Sequence, residues 1–147
     1  MPTIDYTTWS RILGTGSRFP FHFGGRGETE ISTGVEHVKH SIIRILSTRI
    51  GTQFMRREFG SRLHTLLFEN NDDVLKTMIP LYVKEAIERW EPRVSITSVQ
   101  VIQTQLQPEY LYVRVEYFIH QTHTADSLVY PFYRNLPLSA VGAEEVN

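Results

Sequence analysis

The sequence predicts an α+β fold in which two main helices pack on a small antiparallel sheet, with an extended N-terminal arm. Three observations support this prediction. Apolar residues recur at helical spacing in two stretches, apolar and polar residues alternate in later stretches, and glycines and prolines are frequent near the N-terminus. We therefore expect an arm at residues 1–33, a single α+β domain at 34–134 and a C-terminal tail at 135–147.

The arm has too few apolar side chains to form a core of its own. Phe19, Phe21 and Phe23 alternate between glycines and a proline, a pattern that excludes a helix and allows one short strand at 19–23. We expect this segment to lie along the domain or along a neighbouring molecule.

Two helices follow from the spacing of apolar residues. The first is expected from Val35 to Thr48, ended by Gly51, because glycine readily adopts the left-handed conformation at a helix C-terminus. The second is expected to run from the Asn70-Asn71-Asp72 stretch, which offers N-cap side chains, to Trp90. Pro80 removes a backbone hydrogen bond inside it and is expected to kink or split the helix.

The rest of the domain, after the second helix, is predicted to form strands. One strand is expected at 94–106, where the phase of alternation changes between Thr97 and Val99 and predicts a bulge. Gln107-Pro108-Glu109 is typical of a turn, and the clean alternation from Leu111 to Ile119 predicts a half-buried strand. The short segment at 127–133 contains a proline and is expected to be an edge strand or a terminal piece.

Composition limits the functional classes. The 147 residues carry a net charge of −1, so no global basic field favours a nucleic-acid partner. The chain has no cysteine, and its apolar runs are far shorter than the roughly 20 residues that span a bilayer. The N-terminal residues also lack the basic start and apolar run of a secretory signal. We expect neither a nucleic-acid nor a membrane partner.

Catalytic and metal chemistry is not supported by the motifs. His37 and His40 share one side of the first helix, but two ligands do not make a zinc site, and we expect no metal and no cofactor. The glycine-rich stretches match neither a nucleophile elbow nor a phosphate-binding loop. A pair of carboxylates could hydrolyse sugar bonds, and the candidates considered were Glu58, Glu69, Glu85, Glu88 and Glu91. Basic residues alternate with Glu85, Glu88 and Glu91, which indicates a solvated or ion-paired face, so an enzyme is not predicted.

The stretch from 51 to 69 has no helical or strand period until its end. It brings together Arg56, Arg57, Glu58, Phe59 and Gly60. We expect the phenylalanine to anchor in the core and the glycine to allow a tight backbone path.

Charges in this loop suggest a tie to the end of the second helix. We expect Arg56 or Glu58 to pair with Glu91 or Arg93. The alternative is that these charges only cap the loop and the helix and have no role toward a partner.

Three motifs carry a family resemblance. The stretch GTQFMRREFGSRL at 51–63, followed by LLFE at 66–69, resembles the GPW family of baseplate wedge proteins of contractile phage tails and related injection machines. Glu91-Pro92-Arg93, after a helix ending in Arg89-Trp90, is similar to the second signature of that family, the EPR motif. GSRFPF at 16–21 is similar to its aromatic-proline arm. One departure is Arg57, where the family often has proline.

The resemblance implies a structural subunit of the virion tail baseplate, present in multiple copies in a symmetric assembly. It implies that the subunit initiates the sheath, with strands that pair with arms of the tail sheath protein. Other baseplate wedge subunits would be partners, and tube or hub proteins further candidates.

The resemblance also assigns surfaces for these contacts. We expect Leu111 to Ile119, with Leu111 and Val113 at the interface, and the 127–133 segment to supply the sheet edge. Phe19 and Phe21 would reach a neighbour. The 56–60 loop and Glu91-Pro92-Arg93 would face other wedge subunits. Two alternatives remain open: a tail-associated peptidoglycan hydrolase, suggested by the lysozyme-like naming of the family, and a generic protein-binding adaptor outside any tail.

Overall fold

The computed structural model describes residues 13–17, 31–69 and 72–133. In chain order the elements are β1 (Thr15–Ser17), β2 (Ile31–Thr33), α1 (Gly34–Ser47), a 3-10 helix (Leu63–Leu66), α2 (Asp72–Trp90), β3 (Val94–Thr104), β4 (Gln107–Ile119) and β5 (Thr124–Tyr133). The predicted α+β class is confirmed. Phe19, Phe21 and the strand expected at 19–23 lie outside the described residues, as does the tail at 135–147.

The larger sheet is antiparallel with strand order β3-β4-β5. The predicted bulge is confirmed, because the register between β3 and β4 shifts between Ile96 and Ser98. The predicted turn at 107–109 is wrong. Thr104 already pairs with Gln107, so the chain reverses at Gln105 and Leu106.

Strand β5 is longer than the sequence predicted and lies at an edge of the sheet, as expected. It pairs residue by residue with Tyr110–Ile119 without a register shift, and Pro131 lies inside this pairing. The expectation that Leu111 and Val113 belong to a free edge is wrong. Strand β4 is paired on both sides, and both side chains are buried in the core.

Each helix buries one apolar stripe in the core. Helix α1 buries Val38, Ile42, Ile45 and Leu46, and α2 buries Leu75, Ile79, Val83, Ala86 and Ile87. Helix α2 continues through Pro80, so of the predicted kink or split the split is excluded. Buried residues on both sides of the proline hold the helix in one piece, although one backbone hydrogen bond is lost.

One core unites these elements. Buried residues of both helices and the 3-10 helix pack with the inner face of the sheet, where the hydroxyl of Tyr117 donates to Asp126 at 3.1 Å. The arm contributes Leu13 to this core. Its described strands, β1 and β2, form a separate antiparallel pair.

None of the helices within the described ranges is long and apolar enough to cross a membrane.

Candidate assembly interface

The loop between α1 and the 3-10 helix is closed by backbone hydrogen bonds. The Gly51 N–H donates to the carbonyl of Arg57 at 2.8 Å, and the Ser61 N–H donates to Thr48 at 3.0 Å. The Ser61 hydroxyl donates to the carbonyl of Leu46 at 3.0 Å, which satisfies an otherwise unpaired acceptor at the end of α1. Gly51 has a φ of +94° but lies within this loop, so the prediction that it ends the helix is wrong.

Gly60 permits the close backbone approach that the sequence suggested. Its φ is +124°, and a Cβ at this position would lie 2.3 Å from the backbone oxygen of Thr48. Only glycine fits here without a shift of the loop. The loop therefore crosses the end of α1 in one fixed path.

Two side chains tie the loop to the end of α2, with partners that differ from the prediction. Glu58 accepts a hydrogen bond from Arg89 at 2.6 Å, not from Arg93, and both groups are more than half exposed. Phe59 packs edge-on against Trp90, with ring centroids 5.1 Å apart. The phenylalanine is half-buried, so it lies at the margin of the core rather than inside it.

Among the ion pairs of the described residues, the most strongly buried lies within the Glu91-Pro92-Arg93 motif itself. Arg93 donates from Nε and Nη2 to the two carboxylate oxygens of Glu91, at 2.5 and 2.6 Å. Glu91 is only 2% exposed. Burial raises the pKa of the Glu91 carboxyl, but hydrogen bonds from Arg93 and Ser41 outweigh burial and hold the pKa below its ordinary value. The Glu91 side chain is therefore used for pairing within the motif, and its role at an interface stays a prediction.

Arg93 also fixes the arm to the domain. Its Nη1 donates to the carbonyl of Leu13 at 2.5 Å. Nearby, Gly16 lies so close to the ring of His37 that a Cβ would come within 2.4 Å of Cε1. Burial lowers the pKa of His37, and the positive charge of Arg93 lowers it further. The motif thus joins the arm, α1 and the end of α2.

The two predicted motifs meet across a surface groove. The groove is lined by the loop, the end of α2, the motif and α1. The lining residues are Gln53, Arg56 and Phe59 of the loop, Trp90 of α2, Pro92 and Arg93 of the motif, and Ser41 and Arg44 of α1. Within the described part of the chain, Arg56 and Arg57 form no ion pair, so the expected pairing of Arg56 is wrong. Sequence reasoning missed Arg89, Ser41 and Leu13, since their roles depend on tertiary contacts that no local pattern encodes.

The described residues contain no cluster of three or more His, Cys, Asp or Glu side chains that could hold a metal ion. The arrangement consists of ties between segments and an exposed, cationic loop.

Solved structures of similar fold include a chain of a baseplate and a tail protein. A chain of the anti-feeding prophage baseplate matches with a TM-score of 0.63 and 22% identity, over 91% of this chain and 96% of that chain. A Geobacter sulfurreducens protein, described as a candidate tail lysozyme, matches with a TM-score of 0.67 and 33% identity, over 74% of this chain and 98% of that chain. The first match shows a shared fold, and the second adds sequence similarity.

The fold and the two motifs define a structural baseplate protein of contractile tail systems. The profile of the family "Baseplate wedge protein gp25" matches residues 32–124, and the chain belongs to this family. Baseplate protein W of Escherichia phage P2 is 37% identical over 67 residues, which cover 46% of this chain and 58% of that protein. The match therefore spans little more than half the length of this relative. The resemblance to baseplate wedge proteins and the location in a tail baseplate are confirmed.

Proposed function

We propose that this chain is a structural wedge subunit that templates polymerisation of the tail sheath by strand addition at the outer edge of β5. The observation that carries the proposal is this edge. Within the described residues no strand covers it, and β5 runs beside β4 for ten paired positions without a bulge. An open, regular edge offers N–H and C=O groups to an incoming strand.

The opposite edge, on β3, is less suitable. The bulge between Ile96 and Ser98 interrupts its hydrogen-bonding row, and bulges at edges commonly prevent pairing. On β5 the interruption is smaller, because Pro131 removes one donor.

The position of Pro131 also indicates which amides face outward. Proline is accommodated in an edge strand where its missing N–H would point away from the neighbouring strand. Because N–H directions alternate along a strand, the amide of Val129 points to the same open side. The Val129 side chain is also 56% exposed, so an incoming strand can reach this residue.

The internal ties described above support a second part of the proposal, that the loop and the end of α2 face other wedge subunits in a symmetric assembly. Gly60, the Glu58–Arg89 pair and the Phe59–Trp90 contact fix the loop before any partner binds. A fixed surface loses little conformational freedom on binding, which favours a permanent assembly.

The first experiment compares particles from the source with and without this gene product by negative-stain electron microscopy. Tubes or baseplates that lack sheath, restored by adding the chain back, are expected. Normal sheathed tails without it would refute the proposal and favour an adaptor outside the tail.

A second experiment tests β5 directly. Val129→Pro removes an outward amide while leaving the pairing with β4 intact, and Val129→Thr keeps the amide as a matched control. We expect the proline variant to fold with near-normal thermal stability and to fail in sheath nucleation, while the threonine variant assembles normally. Equal nucleation by both variants would exclude β5 as the template.

We further propose that the chain is not an enzyme, although one structural neighbour is described as a candidate tail lysozyme. A glycosidase needs a carboxylic acid whose pKa is raised. Of the candidate glutamates, Glu91 is the most buried, and its pKa is lowered. A zymogram on cell-wall material tests this point: clearing that is lost in Glu58→Gln would establish a hydrolase instead.

A further inference from the structure

The tip of the loop exposes two large apolar side chains. Phe54 is 84% exposed and its neighbour Met55 is 87% exposed. Single exposed apolar residues are common, but two adjacent ones at a protruding tip form a local apolar surface. We name this pair the loop tip.

The backbone holds the loop tip outward. Met55 has a φ of +62°, a left-handed conformation that is unfavourable for a residue with a side chain. The Arg56 N–H donates to the carbonyl of Gln53 at 3.3 Å, and the Gly51 hydrogen bond to Arg57 closes the base of the loop. Strain that the surrounding structure maintains is typical of functional positions.

Positive charge lies next to the tip in the loop. Arg56 and Arg57 follow it directly and are exposed, with no ion pair inside the described chain. The nearest acidic residue of the loop, Glu58, already pairs with Arg89 at 2.6 Å. The loop therefore exposes two apolar side chains followed directly by two cationic ones, although the whole chain carries a net charge of −1.

We propose that Phe54 and Met55 insert into an apolar pocket, rimmed by carboxylates, on a different subunit of the baseplate. The proposal rests on the proposed function, since it names a partner of the same assembly. Charge complementarity selects this occupant, because carboxylates would pair with Arg56 and Arg57. A tip-to-tip contact with a second copy would bring four arginines together and is disfavoured.

The test places the photo-crosslinking residue p-benzoylphenylalanine at position 54 in particles assembled from the source, with position 68 as the matched control. Phe68 is also apolar and 77% exposed, but it lies outside the loop. Peptide sequencing of the products should map position 54, and not 68, to an apolar segment of another baseplate subunit that carries Asp or Glu. Cross-links to this chain itself, to a basic segment or to lipid would overturn the proposal.

Substitutions give an independent readout. We expect the double change Phe54→Ser and Met55→Ser to lower the amount of this chain in purified baseplates about tenfold, as for truncation of a binding hot spot, and Phe68→Ser to leave it unchanged. Met55→Gly should raise the urea midpoint of the isolated chain because it relieves the left-handed conformation, and yet lower its incorporation. Unchanged incorporation of the double variant would refute the proposal.

Failure of this proposal can be told apart from failure of the proposed function. If sheaths form without the chain, the proposed function fails. If sheaths require the chain but position 54 gives no cross-link to another subunit, only the loop-tip contact fails. Flotation of the chain with phosphatidylglycerol vesicles, abolished by the double change, would assign the tip to a membrane and overturn the proposal.

Discussion

Replacing Arg93 by alanine is the sharpest test of the role of the motif. The change leaves the Glu91 carboxylate, which is only 2% exposed, without the two hydrogen bonds that hold its charge. It also removes the donor to the Leu13 carbonyl. Breaking one side of a buried ion pair costs about 3–5 kcal/mol. The Arg93 side chain is 23% exposed, so water reaches part of the site, and we expect the lower end of this range.

Urea unfolding of the isolated chain measures this cost. With a slope of about 2 kcal/mol per molar, a loss of about 3 kcal/mol moves the midpoint by about 1.5 M. Arg89→Ala is the matched control because Arg89 also pairs with a glutamate, at 2.6 Å, but on the exposed surface. Exposed pairs contribute about 1 kcal/mol or less, so its midpoint should move by about 0.5 M or less. Equal shifts for the two variants would refute the reasoning that burial makes the Glu91 pair critical.

Three further predictions concern the same domain. Gly60→Ala should lower the free energy of unfolding by about 2 kcal/mol or more, because backbone strain adds to the clash of the new Cβ with the Thr48 oxygen. Gly51→Ala should cost less, because its Cβ would enter open space, and equal costs in urea unfolding would contradict this reasoning. The pKa of Glu91 is lowered in the folded chain from its ordinary 4.5, so its pairing stabilises the fold above that pH, and this stabilisation is lost as the pH falls through the lowered value. Glu91→Gln should therefore be less stable than wild type near neutral pH. The difference in the free energy of unfolding should narrow in acid. Burial and then Asp126 raise the pKa of Tyr117, so stability should fall as the pH rises above about 10, and Tyr117→Phe should reduce that fall in an alkaline titration followed by circular dichroism.

The helices and the bulge could be predicted because they are local. A stripe of apolar residues at helical spacing fixed α1 and α2 to within about a residue, and the shift of phase near Thr97 located the bulge. The hairpin turn was missed because Leu106 is apolar, whereas Pro108 resembled a turn residue. The strand order was missed for a different reason: alternation shows that a strand is half-buried, but not whether it lies at the centre or the edge.

The site was predicted by location but not by contact. The loop and the Glu91-Pro92-Arg93 motif do meet, as their charges suggested. The actual partners differ because Arg93 is close enough in sequence to pair with Glu91 directly, which leaves Arg89 for Glu58. The role of the Leu13 carbonyl could not be predicted from the sequence, since every residue has a backbone carbonyl that could accept this hydrogen bond.

The hydrogen bond from Arg93 to Leu13 joins residues 80 positions apart. Ribosomes add about 5–20 residues per second, so about 4–16 s separate the synthesis of these two residues. The N-terminal segment therefore leaves the ribosome well before its anchor exists, and it docks only when the end of α2 has formed. During that interval the carbonyl and the apolar side chain of Leu13 are exposed, and chaperones can bind them.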